Sequence, residues 1–401
     1  MIELTKEQKS AHDGIIDWCD SALQGKEYND HISLSGLAGT GKTTLTSFIS
    51  DTLHKNLCNS IAFCAFTGKA SMVLKTKLKD CLHEDDYVGT IHSLIYRPVI
   101  DPKSGKIIGW SKREEIDFDL IIVDEASMVN KDLWKDLVSY RVPIVAIGDH
   151  GQLPPIGNTN FSLMEKPDIV LEKIHRQAEN NPIIKLSIMA REDGWIKQGV
   201  YGKSVACMDW LNPVAKKYLH NYKPSKNSQI LCGMNNTRVD INRKIRKNNG
   251  IDSPEPQIGE KIICLMNNKE NFIMNGQTGY IKNIKYFSDR TFEIQTNMDD
   301  SKFDTYSITP KFSWNMPKID DLYDKLIDPK LKLDKTKSGR PIDVYEFGYS
   351  ISVHKSQGSE WNNIMLIEEY NPYQDDEDRA RWLYTAVTRA KKKLLIIQDY
   401  Y

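Results

Sequence analysis

The stretch Ser35-Gly36-Leu37-Ala38-Gly39-Thr40-Gly41-Lys42-Thr43-Thr44 constrains this chain more than any other. It satisfies the phosphate-loop pattern G-x-x-x-x-G-K-[ST] in full. A short apolar run, His31 to Ser35, precedes it, and a helical run from Lys42 to about Ser50 follows. A strand, a glycine-rich turn and a helix in that order wrap backbone N–H groups around an anion at the positive end of the helix. Glycines keep Cβ atoms out of that wrap. Lys42 is placed to reach the outer phosphates, and the Thr43 hydroxyl to hold Mg²⁺. The chain is expected to bind a nucleoside triphosphate, ATP, through Gly36, Gly39, Thr40, Gly41, Lys42, Thr43 and Thr44.

The surrounding pattern supplies the fold class. Short, β-branched strand candidates lie at Ile32–Ser35, Ile61–Phe66, Leu120–Val123 and Ile144–Ile147. Helical runs between them include Lys69–Lys79 and Lys131–Tyr140. This alternation is that of an α/β domain with a buried parallel sheet. Tyr96 to Trp110 interrupts it with two strand-like segments around Asp-Pro-Lys-Ser-Gly, a hairpin insertion within about 94–113. A second α/β set starts near Val170, with helix Pro182–Arg191, strand Gln229–Cys232, helix Asn235–Lys247 and strands Ile364–Ile367 and Leu394–Ile397. Between these, Thr278–Ile284, Thr291–Gln295 and Thr305–Ile308 alternate as strands of a small β-barrel. Lys311 to Arg340 is polar, rich in lysine and aspartate, and reads as a helical extension or a mobile excursion. The expected domains are 1–165, then 166–270 with 345–401, and a barrel with its extension at 271–344.

Length and composition set outer bounds. The 401 residues suffice for two to four domains, and 40% hydrophobic with 27% charged residues fits a globular chain with a real core. No run approaches the roughly 20 apolar residues of a membrane span. The start, Met-Ile-Glu-Leu-Thr-Lys, has no apolar signal core, which predicts a cytoplasmic protein without a membrane partner. The seven cysteines form no C-x-x-C pair, so reduced thiols are expected and no structural zinc. Net charge is zero, so charge alone does not announce nucleic-acid binding. The basic runs Arg238–Lys247 and Arg379–Lys393 read by themselves as solvated helix faces.

Three further segments carry chemistry. Leu120-Ile-Ile-Val-Asp124-Glu125 ends an apolar strand in two acids. Asp124 can hold Mg²⁺, and Glu125 can orient and deprotonate an attacking water. Gly148-Asp149-His150-Gly151-Gln152-Leu-Pro154-Pro155 follows the next strand and sets Gln152 where it can sense a terminal phosphate. Taken alone, this last segment reads first as a rigid turn.

In this order the segments resemble the motifs of superfamily 1 helicases, and later segments agree. Leu171-Glu-Lys-Ile-His-Arg176-Gln177 is similar to motif IV, which implies an arginine finger at Arg176. Tyr349 to Glu360, with Ser352, His354, Lys355, Gly358 and Glu360, is similar to motif V. Tyr384-Thr-Ala-Val-Thr388-Arg389 is similar to motif VI, which implies a second finger at Arg389. Thr5-Lys-Glu-Gln8 resembles the adenine-reading Q motif. Phe66-Thr67-Gly68-Lys69 and Thr90-Ile-His92 resemble motifs Ia and Ib. The Gln-Leu-Pro-Pro segment, the early hairpin and the β insertion before motif V resemble the 5′→3′ branch of RecD-like enzymes, the Dda helicases of T-even phages above all.

The resemblance implies two RecA-like P-loop domains, a β-hairpin that acts as a strand-separating pin, and an SH3-like barrel inserted in the second domain. It also implies ATP and Mg²⁺ at Lys42, Thr43, Asp124, Glu125, Gln152, Arg176 and Arg389, with Gln8, Gly358 and Glu360 at the nucleotide. DNA contacts would fall to Phe66, Thr67, Lys69, Thr90, His92, His354 and Lys355. Phe66 stands where the family has proline, and either stacks on a base or belongs to the core. Ser352 stands for the usual threonine and keeps the hydroxyl. Nothing large precedes Gln8, so the partner-docking modules of bigger relatives are expected to be missing. The expected partners are single-stranded and forked DNA, with a single-strand-binding protein or replication proteins as further candidates, in a bacterial or phage-infected cell. An RNA-directed enzyme of the same superfamily and a P-loop switch without translocation remain open alternatives.

Overall fold

A computed structural model describes residues 3–26, 29–100, 107–155, 161–173, 181–268, 273–299, 301, 303–314, 342–372 and 374–398. The chain divides into two compact units, residues 1–184 and 185–401, each described by itself.

The first unit opens with α1 (Lys6–Leu23), where the Thr5 hydroxyl caps Gln8 N–H and the Gln8 side chain caps Thr5 N–H in return. Then come β1 (His31–Gly36), α2 (Lys42–Asn56), β2 (Ile61–Ala65), α3 (Gly68–Lys77), β3 (Tyr87–Thr90) and α4 (Ile91–Ile95). After them follow β4 (Tyr96–Ile100), β5 (Ile107–Lys112), β6 (Leu120–Asp124), α5 (Lys131–Val138), β7 (Ile144–Gly148) and β8 (Ile169–Leu171). The sheet order is β3-β2-β6-β7-β1-β8, with every pairing parallel. Side chains alternate across each strand. Phe63, Ile122, Val145 and Leu34 therefore join one buried cluster with α1 and α2, while Cys64, Val123 and Ala146 join another with α4 and α5. β4 and β5 pair antiparallel as a separate two-stranded element; its connecting residues 101–106 lie outside the described residues.

β8 departs from the expected domain boundary at 165/166. It pairs with β1, Leu34 opposite Ile169, and so closes the first sheet. Asp168 fixes that register: its Oδ2 accepts from Ser33 N–H at 2.8 Å and from the Ser33 hydroxyl at 2.6 Å.

α6 (Pro182–Asp193) spans the boundary, and the second unit continues with β9 (Gly199–Val200), β10 (Val205–Asp209), α7 (Pro213–His220), β11 (Ser228–Cys232) and α8 (Asn235–Asn248). The chain then leaves for β12 (Lys261–Cys264), β13 (Thr278–Ser288), β14 (Thr291–Met298), β15 (Thr305–Pro310) and β16 (Tyr345–Phe347). It returns through β17 (Ser350–Ser352), α9 (Val353–Ser356), β18 (Trp361–Ile367), α10 (Asp376–Val387) and β19 (Ala390–Gln398). The main sheet runs β17-β11-β18-β19-β10-β9, parallel except at the β9 edge.

The inserted strands form an antiparallel sheet in the order β15-β14-β13-β12-β16. Ile308 of β15 also forms an isolated parallel bridge to Ile342, three residues before β16. The expected extension Lys311–Arg340 lies outside the described residues beyond Trp314. Among the described residues, no helix is long and apolar enough to cross a membrane.

Candidate functional site

The parallel order of the first sheet aligns three strand ends on one edge. β7 lies between β1 and β6, with Ser35 opposite Gly148 and Val123 opposite Ala146. The loops that follow β1, β6 and β7 therefore leave side by side, where open α/β sheets bind ligands.

The loop after β1 has the backbone its glycines permit. Gly39 and Gly41 take φ of 87° and 81°, which side chains resist. A Cβ on Gly36 would meet Thr40 Oγ1 at 2.6 Å, so this position must be glycine for the loop to close. Lys42 begins α2, and its ammonium donates to the carbonyls of Gly36 and, at 3.1 Å, Leu37. Asp149 Oδ2 lies 3.8 Å from the same ammonium and is buried. Lys42 thus faces into the loop. Thr43 Oγ1 accepts from Lys77 Nζ at 3.4 Å.

At the end of β6, the Asp124 carboxylate accepts from Glu125 N–H at 3.0 Å. Glu125 adopts φ 52°, ψ 41°, and shares positive φ among described non-glycine residues with Arg141 alone. A left-handed glutamate costs about 1–2 kcal/mol, and such strain concentrates at working sites. After β7, Gln152 is buried, and its Oε1 finds no hydrogen-bond partner among the described residues. An unpartnered buried acceptor is uncommon and calls for an explanation such as a ligand. His150 ties this loop to β1 through its ring nitrogen and Ser35 Oγ, 2.6 Å apart.

Gln8 is committed elsewhere in its own unit. Its Oε1 accepts from Thr5 N–H and its Nε2 donates to Thr40 carbonyl, both at 3.1 Å. It braces the phosphate loop from α1.

Motif Ia and Ib residues sit at helix starts. Thr67 Oγ1 accepts from Ala70 N–H and Thr90 Oγ1 from Ser93 N–H, each at 3.1 Å. Each oxygen thereby caps a helix, and the Thr67 hydroxyl proton remains available to a phosphate. Phe66 is half-buried against the second apolar cluster and meets the His92 ring edge-on, centroids 6.1 Å apart. Lys69 is buried, unlike an ordinary backbone-contacting lysine.

In the second unit, motifs V and VI meet. The Arg389 guanidinium is buried; it donates to the carbonyls of Thr385 at 3.0 Å and Ser359 at 3.3 Å, and to Thr388 Oγ1 at 3.2 Å. Gly358 makes the preceding turn with φ 70°. Glu360 is exposed and pairs with Lys391 at 2.8 Å. Ser352 caps α9, which carries His354 and Lys355. Burial lowers the pKa of both, with Asp378 opposing the shift at His354 and Glu346 opposing it at Lys355. Arg176 lies outside the described residues.

Sequence reasoning assigned no role to Asp149, His150 or Lys77. The first two carried a signal, as polar residues directly after a buried strand. Lys77 carried none, because its reach to Thr43 depends on how α3 packs.

A phosphate loop, two strand-end acids and a buried glutamine on adjacent parallel strands define a P-loop nucleotide-binding unit. Comparison with known proteins agrees. Residues 20–158 match the AAA domain family, and residues 347–397 match the UvrD-like helicase C-terminal domain. The chain is 25% identical to the ATP-dependent RecD2 DNA helicase of Deinococcus radiodurans, over 96% of this chain and 49% of that protein. It is 30% identical to the ATP-dependent DNA helicase dda of phage T4, over 48% of this chain and 44% of that protein. The fold matches Pif1 helicase from Bacteroides in complex with ADP-AlF3 and ssDNA. There the TM-score is 0.55 at 16% identity, covering 100% of this chain and 93% of that one.

The chain is related to the RecD-like and Pif1-like helicases of superfamily 1, Dda included. It spans about half the length of the Deinococcus relative.

Proposed function

We propose that this chain is an ATP-driven 5′→3′ DNA translocase and helicase that moves on single-stranded DNA and opens duplexes at forks. The observation that carries the reading is the constellation at one sheet edge. Lys42 and Asp149 lie 3.8 Å apart, Glu125 is held left-handed, and the Gln152 acceptor is buried without a partner among the described residues.

In this reading ATP phosphates lie in the Gly36–Thr44 loop, and Lys42 turns from its loop carbonyls to the outer phosphates. Thr43 and Asp124 would hold Mg²⁺, which when bound supplies positive charge at the phosphates. Their hydroxyl and carboxylate are the hard oxygen donors Mg²⁺ takes. Glu125 orients the attacking water and accepts its proton, and Gln152 reads the terminal phosphate. Arg176 and Arg389 stabilise transition-state charge. The three acceptors around Arg389 fix its direction in advance, as electrostatic catalysis requires. Gln8, Gly358 and Glu360 belong to the nucleotide site.

Phe66, Thr67, Lys69, Thr90, His92, His354 and Lys355 track the single strand. Base stacking on aromatic side chains makes such binding sequence-tolerant. The β4–β5 pair acts as the pin and the inserted sheet as an SH3-like barrel. Relatives named as DNA helicases, and a neighbour solved with ssDNA, support DNA as the track.

Strand displacement on duplexes carrying a 5′ or a 3′ tail tests the reading, with ATP hydrolysis followed on single-stranded DNA and RNA. Opening restricted to the 5′-tailed substrate, with hydrolysis stimulated by DNA, is expected. Efficient opening from a 3′ tail would overturn the direction, preferential stimulation by RNA would overturn the track, and unstimulated hydrolysis would overturn translocation.

A further inference from the structure

β4 and β5 form a two-stranded sheet of their own. Two strands by themselves are marginally stable, so the ladder between them does not set the direction in which the hairpin points. The arm adds little, since Val99 and Trp110 are 37% and 55% exposed. Direction must come from the root.

The root is held twice, by α5 and by the turn after it. Tyr96, the first residue of β4, stands opposite Lys112, the last of β5. Both side chains reach one carboxylate. The Tyr96 hydroxyl donates to Asp136 Oδ2, and Lys112 Nζ lies 3.7 Å from Asp136 Oδ1. Burial, with Asp136 adding to it, pushes the Tyr96 hydroxyl up to about 12, so it stays a donor. Beyond that pair, the Tyr140 hydroxyl lies 3.0 Å from the Ile95 carbonyl and 2.7 Å from the Arg113 carbonyl, the residues that flank the hairpin on either side. A hydroxyl has one proton to give. The Ile95 carbonyl already accepts from Arg113 N–H at 2.8 Å, so the Arg113 carbonyl is the one that depends on Tyr140. Lys112 Nζ also sits 4.9 Å from the Tyr140 ring centre. α5 itself is fixed, with Leu133, Trp134 and Leu137 buried in the second apolar cluster. The His92 and Tyr96 ring centres are 5.9 Å apart, so a residue assigned above to the single strand adjoins the root.

We infer that Asp136 and Tyr140 are positioning residues for duplex opening: each ties both sides of the hairpin root to α5 and its following turn, and so holds the pin at one angle. The inference rests on the reading of β4–β5 as the pin. Neither residue is assigned to nucleotide or DNA. A wedge that yields at its root tilts instead of parting a base pair, and the motor then steps without opening the duplex. Loss of the clamp therefore lowers the base pairs opened per ATP and leaves hydrolysis on single strands as it was.

The test uses the full chain carrying Tyr140→Phe, Asp136→Ala or Asp136→Asn, and a chain with residues 99–108 replaced by a short Gly-Ser turn. Opening of 5′-tailed duplexes and ATP hydrolysis on single-stranded DNA are measured in one preparation and expressed as a ratio. Unfolded molecules contribute to neither rate, so the ratio is readable even where a variant is less stable. Tyr140→Phe and Asp136→Ala are each expected to lower it by about threefold to tenfold, the factor one lost hydrogen bond is worth. Asp136→Asn keeps an acceptor for Tyr96 and should retain most of the parent ratio. The loss should be greater on GC-rich than on AT-rich duplexes, a dependence that general loosening of the fold would not produce. Parent ratios in both Tyr140→Phe and Asp136→Ala would overturn the inference, and so would equal loss on the two duplexes. A matching fall in stimulated hydrolysis would also overturn it, making the two residues supports of the motor. If the Gly-Ser chain opens duplexes as the parent does, the pin reading fails and the inference falls with it. If that chain cannot open them while the root variants match the parent, the inference fails alone.

Discussion

The two units build similar six-stranded sheets and use buried polar groups in opposite ways. In the first, polar groups gather where strands end: Asp149 and Gln152 after β7, Ser127 after β6, Thr40 in the loop after β1. In the second, they lie where an inserted sheet meets the α/β core. Arg246 holds Glu260 through two hydrogen bonds, 2.6 and 3.1 Å, and lies 4.0 Å from the Phe347 ring centre. Lys261, fully buried, donates to Ser228 carbonyl at 2.7 Å and to Gln229 Oε1 at 2.9 Å. Arg238 pairs with Glu346, which sits on β16. An apolar seam would attach the insertion in many registers, whereas paired charges accept one. The first unit therefore places polarity at the strand ends where we propose that a nucleotide binds, and the second places it for architecture, with the role proposed for Arg389 as the exception.

That exception gives the largest expected effect. Arg389→Ala should lower DNA-stimulated ATP turnover by about 10³–10⁵-fold, the range for an arginine finger. Unfolding free energy should fall by only about 1–3 kcal/mol, for the carbonyls left behind. Turnover and denaturant unfolding in one preparation check both; near-normal turnover would return Arg389 to architecture. Next, Glu125→Gln should cost about 10²–10⁴-fold in turnover, the usual share of a general base, while a fluorescent nucleotide still binds. Parallel loss of nucleotide affinity would make Glu125 a binding residue.

On the architectural side, Arg238→Ala should destabilise the chain by about 3–5 kcal/mol, because it strands a buried carboxylate. Urea unfolding measures it. The Arg238→Met, Glu346→Leu pair should recover most of the loss, since replacing both partners removes the unpaired charge. Failure to recover would mean that the pair sets the register as well as neutralising charge.

The difference between the units also decided what could be read from sequence. The strands of the first sheet are continuous apolar runs, and the phosphate loop is local in sequence, so both were legible. β8 was not, because three residues, Ile169 to Leu171, carry no period and were drawn to the second domain. Their pairing with β1 and the contact of Asp168 with Ser33 assign them. β12 and β16 were hidden for a related reason. Each carries a charged residue, Lys261 and Glu346, whose partners stand more than 30 residues away on other elements. At the site, Lys42, Asp124 and Glu125 were visible as motif members, while the approach of Asp149 to Lys42 follows from β7 lying next to β1. Sheet order is a tertiary fact that spacing does not encode.

The smallest expected effect concerns Gln8, the residue of the first unit that behaves like those of the second. Its amide bridges Thr5 and Thr40, so truncation removes a helix cap and a strut of the phosphate loop. Losing the cap typically costs about 1 kcal/mol, and a buried neutral hydrogen bond about as much again. Gln8→Ala should therefore lower unfolding free energy by about 1–2 kcal/mol. The nucleotide readout separates two roles. A strut acts on the phosphates, which ATP and GTP share, so KM for both should rise by the same factor. An adenine reader acts on the base, so the preference for ATP over GTP should narrow. Measuring both KM values in parent and variant distinguishes the roles. A common rise would place Gln8 with the architectural polar groups, and a narrowed preference would place it with Lys42 and Gln152 as a contact to the ligand.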